Sequence, residues 1–165
     1  INGVLVRLSK IKDENYVSLT DIVAHLENPA AIINNWLRNF STLEYLGFWE
    51  ELENDNFNLI EFEQIKSQAG KNSFYLSATR WVKQTNAIGI RASAGRYSKG
   101  VFAQQDIALH FCYWLEPKFQ LYMIREFKRL KTQEQLMAGD PFNIKRYLTS
   151  GDYSLCGRSV VFQVD

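Results

Sequence analysis

Pro29-Ala-Ala-Ile-Ile-Asn-Asn-Trp-Leu-Arg38 sorts into two faces when wound at helical pitch. Ile32, Ile33, Trp36 and Leu37 fall on one arc, and Ala31, Asn34, Asn35 and Arg38 on the other. Asn28 is a good capping residue and Pro29 suits the first helical position, so a helix is predicted from Pro29 to about Asn39. Just upstream, Ser18-Leu-Thr-Asp21 reads as another helix start. Ser18 or Thr20 can cap it, Asp21 favours the first turn, and Leu19, Ile22, Val23 and Leu26 follow at helical spacing. Two short amphipathic helices across a tight turn make a helix-turn-helix shape. The outward arc of the second helix carries amides, which pair with adenine, and an Arg, which pairs with guanine. A solvated helix face has the same composition, so its meaning depends on what surrounds it.

Before this pair, Val4 to Leu8 and Tyr16 to Ser18 read as short strands joined by the polar turn Lys10 to Asn15. After it, Leu43, Leu46, Trp49 and Glu53 keep helical spacing, and the chain passes through an Asn-rich stretch to Ile60, Phe62 and Ile65. Ser77 is placed to cap a helix from Ala78 to Thr85 with Trp81 and Val82 inside. Ala87-Ile-Gly-Ile90 and Val101-Phe-Ala103 flank a segment with glycines and small residues, Arg91 to Gly100, which predicts a β-hairpin with an exposed tip. Helices are expected over Asp106 to Leu115 and Pro117 to Lys131. The latter has an apolar stripe (Phe119, Met123, Phe127, Leu130) and a basic end that suits the helix dipole.

The formal net charge of +1 hides a strong internal asymmetry. Ser41 to Glu63 holds seven carboxylates and no Lys or Arg, whereas Ile65 to Gln105 holds seven cations (Lys66, Lys71, Arg80, Lys83, Arg91, Arg96, Lys99) and no carboxylate. A polyanion responds to the local density of Lys and Arg that can reach phosphates, not to whole-chain charge. Three of the cations sit in the hairpin segment, where they make a probe for a groove or a phosphate. The carboxylates read as a solvated face turned away from any phosphate.

With 165 residues, 46% of them apolar or aromatic, the chain can bury one core without staples. Cys112 and Cys156 have no short-range partner, which argues against a disulfide framework or a zinc site and fits a reducing compartment. No apolar run approaches a membrane span and no signal peptide is evident, so a cytoplasmic location is expected. Enzymatic patterns are poor. His25 and His110 lie apart from any nucleophile and read as partly buried structural residues. Gly70-Lys-Asn-Ser73 resembles the end of a phosphate-binding loop, but Ile65 stands where that pattern needs Gly. Neither catalysis, nor a metal, nor a cofactor is expected.

Several ordered blocks carry a family resemblance: Tyr16-Val-Ser-Leu-Thr-Asp-Ile22, Ile33-Asn-Asn-Trp-Leu-Arg38, Leu46-Gly-Phe-Trp49, Ala87-Ile-Gly-Ile90, Ala94-Gly-Arg-Tyr97, Asp106-Ile-Ala108, Trp114-Leu-Glu-Pro-Lys-Phe119 and Ile124-Arg-Glu-Phe-Lys-Arg-Leu130. Together they resemble a KilA-N domain over about Gly3 to Lys131. That family is common in DNA-virus, phage and bacterial proteins and is related to the APSES domain of fungal transcription factors. The resemblance implies an α+β, winged-helix-like fold that binds duplex DNA, with the Pro29 to Asn39 helix as recognition helix and Arg91 to Gly100 as wing. Under this reading base edges fall to Asn34, Asn35 and Arg38. Phosphates fall to Arg80, Lys83, Arg96 and Lys99, with Lys71, Arg91, Ser93 and Tyr97 beside them. Two departures stand out. Ser98-Lys99-Gly100 replaces a frequent Gly-Gly pair, adding charge, and Gln104-Gln105 replaces a frequent Ala-His. The domain is expected to span 1–131, with 132–165 a tail or a fragment of a second domain. The alternative is a protein-interaction module, antirepressor-like, that grips a DNA-binding partner through the acidic segment 41–63.

Overall fold

Ser18 is where the chain changes from strand to helix, and the hydrogen bonds around it set the frame. Its Oγ accepts from the Asp21 backbone N–H at 3.2 Å, capping the helix, while its own N–H reaches the Arg7 carbonyl at 3.0 Å. Thr20, the other candidate cap, serves a distant strand instead: its Oγ1 accepts from the Val101 N–H at 2.9 Å. The computed structural model describes residues 6–11, 14–71, 73–93 and 100–138. Their order is β1 (Leu8–Ile11), β2 (Glu14–Ser18), α1 (Leu19–Ile22), α2 (Pro29–Leu37), α3 (Phe40–Glu53), α4 (Leu59–Lys66), α5 (Ala78–Thr85), β3 (Ile90–Ser93), β4 (Gly100–Gln104), α6 (Gln105–Leu115) and α7 (Pro117–Ala138).

This is an α+β fold with one antiparallel sheet in the order β1-β2-β4-β3. Of the strand expected over Val4 to Leu8, Val4 and Leu5 lie outside the described residues; among those described, the first strand begins at Leu8. Leu8 pairs with Val17 and Ile11 with Glu14, so residues 10, 11, 14 and 15, assigned to a turn from their polarity, belong to the ladder. α1 is also shorter than its apolar spacing suggested and ends at Ile22. Tyr16, Val17 and Ser18 pair with Gln104, Ala103 and Phe102, which brings β2 to the far arm of the hairpin.

Helices α2, α3, α5 and α6 bury most of their apolar residues, whereas Leu26, Glu53 and Ile60, placed at helical spacing by the sequence, are exposed. Ile33, Trp36 and Leu37 of α2, Leu43 and Leu46 of α3, Trp81 of α5 and Phe111 of α6 are in the core; Val82 is only half-buried. Truncating a buried Trp to Ala typically costs about 3–5 kcal/mol, so Trp36 and Trp81 are major anchors. Two glycines exist for close approach. A Cβ on Gly47 would overlap the Phe62 ring, and one on Gly89 would overlap Trp49 and Ile107.

The acidic segment is not wholly a solvated face, because Glu50 is fully buried. Its carboxylate accepts from the Gly89 N–H (2.8 Å), the Ile88 N–H (2.9 Å) and the Asn54 Nδ2 (2.9 Å). Asn54 Nδ2 also donates to the Asn86 carbonyl at 2.9 Å. Asn86 ends α5 in the left-handed region, at φ 56°, which Asn tolerates better than most residues. Glu50 thus grips the turn that leads into β3. Burial pushes its carboxyl up from the ordinary range, against the pull of these donors and of Arg91.

The described residues divide into two compact units, one ending at Pro117 and one starting at Lys118. The second contains nearly all of α7. Of the expected apolar stripe, Phe119 and Met123 are half-buried and Phe127 and Leu130 exposed. Two of the cations at its basic end pair within the helix, Arg129 with Glu126 and Lys131 with Glu134. No helix among the described residues is long and apolar enough to cross a membrane.

Candidate nucleic-acid interface

α2 begins at Asn28, whose Oδ1 accepts from the Ala31 N–H at 3.3 Å. With Ile33, Trp36 and Leu37 inward, the opposite arc faces out: Asn35 is exposed, and Asn34 and Arg38 are half-exposed. The inner face is tied to α6. The Trp36 indole N–H donates to His110 Nδ1 at 3.3 Å, and the His110 ring stacks on Tyr45 with centroids 4.1 Å apart. Because Nδ1 accepts, the proton of the neutral ring sits on Nε2. Burial lowers the His110 pKa, which favours that neutral form.

α5 supplies the neighbouring cations. Ser77 caps it by accepting from the Arg80 N–H at 3.2 Å. The Arg80 guanidinium is held in place, Nε on Gln84 Oε1 at 2.7 Å and Nη1 on the Tyr75 carbonyl at 3.0 Å. Tyr75 in turn meets α2: its hydroxyl accepts from Asn34 Nδ2 at 3.1 Å. Asn34 and Arg80, expected to contact DNA from different elements, are therefore joined through a residue the sequence reading passed over. Three large side chains in a row, Phe74-Tyr-Leu76, gave no alternation to read; only in the structure are Phe74 and Leu76 buried and Tyr75 61% exposed.

The other expected contacts are less connected. Lys71 and Lys83 are exposed. Arg91 is exposed on β3, its guanidinium carbon 5.6 Å from the centroid of the Tyr16 ring. Among the described residues, the side chains of Asn35, Arg38, Lys71, Lys83 and Arg91 make no hydrogen bond or ion pair with the side chain of Asn34 or Arg80; Arg38 meets Asn34 only through the backbone, its N–H donating to the Asn34 carbonyl at 3.1 Å at the end of α2. The Ser93 backbone pairs with Gly100, closing the hairpin arms. Arg96, Tyr97 and Lys99 lie outside the described residues. Lys66 belongs to the acidic side, 3.7 Å from both Glu44 and Glu63 and above the Phe40 and Phe62 rings. No group of three or more metal-ligating side chains occurs among the described residues.

The model of the KilA-N domain family matches residues 2–133. The chain belongs to the KilA-N family. KilA-N domains are, as a family, noncatalytic DNA-binding domains. No curated protein and no solved structure matches the chain. In this KilA-N domain the Gln104-Gln105 departure has a local use: Gln104 Oε1 accepts from the Asp106 N–H at 2.6 Å and caps α6. Gln105, where the family often has His, is exposed.

Proposed function

We propose that this KilA-N domain binds duplex DNA and catalyses no reaction on it. In this winged-helix-like reading α2 enters the major groove and the β3–β4 hairpin acts as a basic wing. Base edges are read by Asn34, Asn35 and Arg38. Phosphates are met by Arg80, Lys83, Arg96 and Lys99, with Lys71, Arg91, Ser93 and Tyr97 beside them. The observation that carries the reading is the Asn34–Tyr75–Arg80 chain, which links an outward amide of α2 through Tyr75 to a guanidinium held by two groups, the Tyr75 carbonyl and Gln84 Oε1. Duplex DNA is favoured over RNA because an α-helix fits the B-form major groove, whereas the A-form groove is too narrow for side chains to read. Such a protein works in the cytoplasm, on the nucleoid or on DNA inside a host, as a regulator of transcription. Fluorescence anisotropy on nonspecific duplex at several salt concentrations tests it. If about four phosphates are neutralised, log Kobs falls against log salt with a slope near −3.6. No binding at low salt overturns the proposal.

A second reading is favoured by one feature of the acidic segment. Phe48, Leu52, Leu59 and Ile60 are exposed in the same stretch of chain as the exposed carboxylates Glu51, Glu53 and Asp55. Apolar side chains among carboxylates suit a basic protein partner, antirepressor fashion. On this reading the domain grips a DNA-binding partner rather than DNA itself, and absence of duplex binding even at low salt would favour it.

A further inference from the structure

An asparagine reads adenine by accepting from the N6 amino group and donating to N7, so it needs its Oδ1 and one Nδ2 proton free and in the plane of the base. An amide that can flip presents these two groups in either order. In this structure one Nδ2 proton of Asn34 is taken by the Tyr75 hydroxyl at 3.1 Å. The remaining proton and Oδ1 are left for a base edge. The Tyr75 hydroxyl can donate as well as accept, so it anchors the amide in place and plane whichever of its two groups it meets. Three contacts hold Tyr75 itself: Phe74 and Leu76 on either side are in the core, and Arg80 Nη1 donates to its carbonyl at 3.0 Å. The backbone is pinned while Tyr75 as a whole is 61% exposed.

We infer that Tyr75 is a specificity-positioning residue: its hydroxyl orients the Asn34 amide for a base edge, making segment 74–80 and α2 one reading surface. The inference rests on the proposed DNA-binding function and deepens it. Tyr75→Phe removes the hydroxyl and keeps the ring. One exposed hydrogen bond corresponds to about a 2- to 12-fold change in an equilibrium, and the loss falls on the ratio of preferred-site to nonspecific affinity.

The experiment begins with selection from random duplexes using the wild-type chain, and repeats it with Tyr75→Phe, Asn34→Ala and the double variant, with thermal midpoints measured on all four. The expected result is that Tyr75→Phe relaxes preference at the same base position as Asn34→Ala, and adds nothing further in the Asn34→Ala background. Equal loss on all sequences makes Tyr75 a phosphate contact and overturns the inference, as does unchanged preference. Relaxed preference that persists equally in the Asn34→Ala background also overturns it. If the wild type binds duplex without any preference, only the reading role fails. If it binds no duplex at all, the proposed function fails with it.

Discussion

Glu50 shows how much one side chain can fix. With two backbone N–H groups and an amide on its carboxylate, it holds residues 86–89 against α3 and so sets where β3 starts. Glu50→Ala strands those donors in the core and should cost about 3 kcal/mol, read as a lower denaturant midpoint at unchanged slope. Its position was legible in part, since Leu43, Leu46 and Glu50 lie at i, i+3 and i+7 on the inward side of α3. The charge run concealed it, because a carboxylate among carboxylates reads as solvent-facing until its donors, almost forty residues away, are known. His110 gives a second test at this scale. Its folded pKa is depressed, so the unfolded chain binds the proton more readily, and stability falls as pH drops through the ordinary histidine value of 6.5 toward the folded value. Asp21, lowered to about 2 chiefly by its hydrogen bond with Arg7, acts in a separate window, between its ordinary value of 3.8 and about 2. Unfolding free energies of wild type and His110→Gln at pH 7.5 and 5.5 should therefore diverge, the wild type losing stability on acidification that the variant does not.

At the scale of elements, helix positions followed from caps and periodicity because those signals are local. Asn28, Asn58 and Ser77 each accept from the backbone N–H three residues on, as the cap residues at α2, α4 and α5 should. The strands were read less well because their partners are distant. The ladder at residues 8–11 exists because β2 is a neighbour across a two-residue connection, and pairing outweighed the polarity of Ser9, Lys10, Glu14 and Asn15. The hairpin was legible as a hairpin, since short apolar runs flank it, and its arms pair from Ile90–Ala103 to Ser93–Gly100. Replacing residues 94–99 by a Gly-Ser linker removes Arg96 and Lys99 and leaves every pair of that ladder in place. The thermal midpoint should hold within a few degrees while duplex affinity falls by at least tenfold at moderate salt. A collapsed midpoint with normal binding by the remaining folded protein would make the segment structural and end its assignment as a wing.

For the whole molecule, the contrast between acidic and basic stretches survives folding in modified form. Glu50 is withdrawn into the core, and Lys66 is spent on Glu44 and Glu63, while Lys71, Lys83 and Arg91 remain on the surface. The candidate site was legible as chemistry, in the residue types of α2 and the run of cations. Its connections were not, because Tyr75 joins Asn34 and Arg80 across separations that periodicity does not report. This arrangement predicts two kinds of variant. Lys83→Ala, which loses one exposed charge from the last turn of α5, should weaken binding to every duplex alike and flatten the salt slope by about 0.9, the value for one phosphate. Arg38→Ala, at the end of the outward arc of α2, should cost about 1–3 kcal/mol on a selected site and little on random sequence. Salt titrations of both variants on both duplexes separate the two roles. If Arg38→Ala instead flattens the slope and spares discrimination, α2 lies along the backbone rather than in the groove, and the sequence-reading element must be sought elsewhere in the domain.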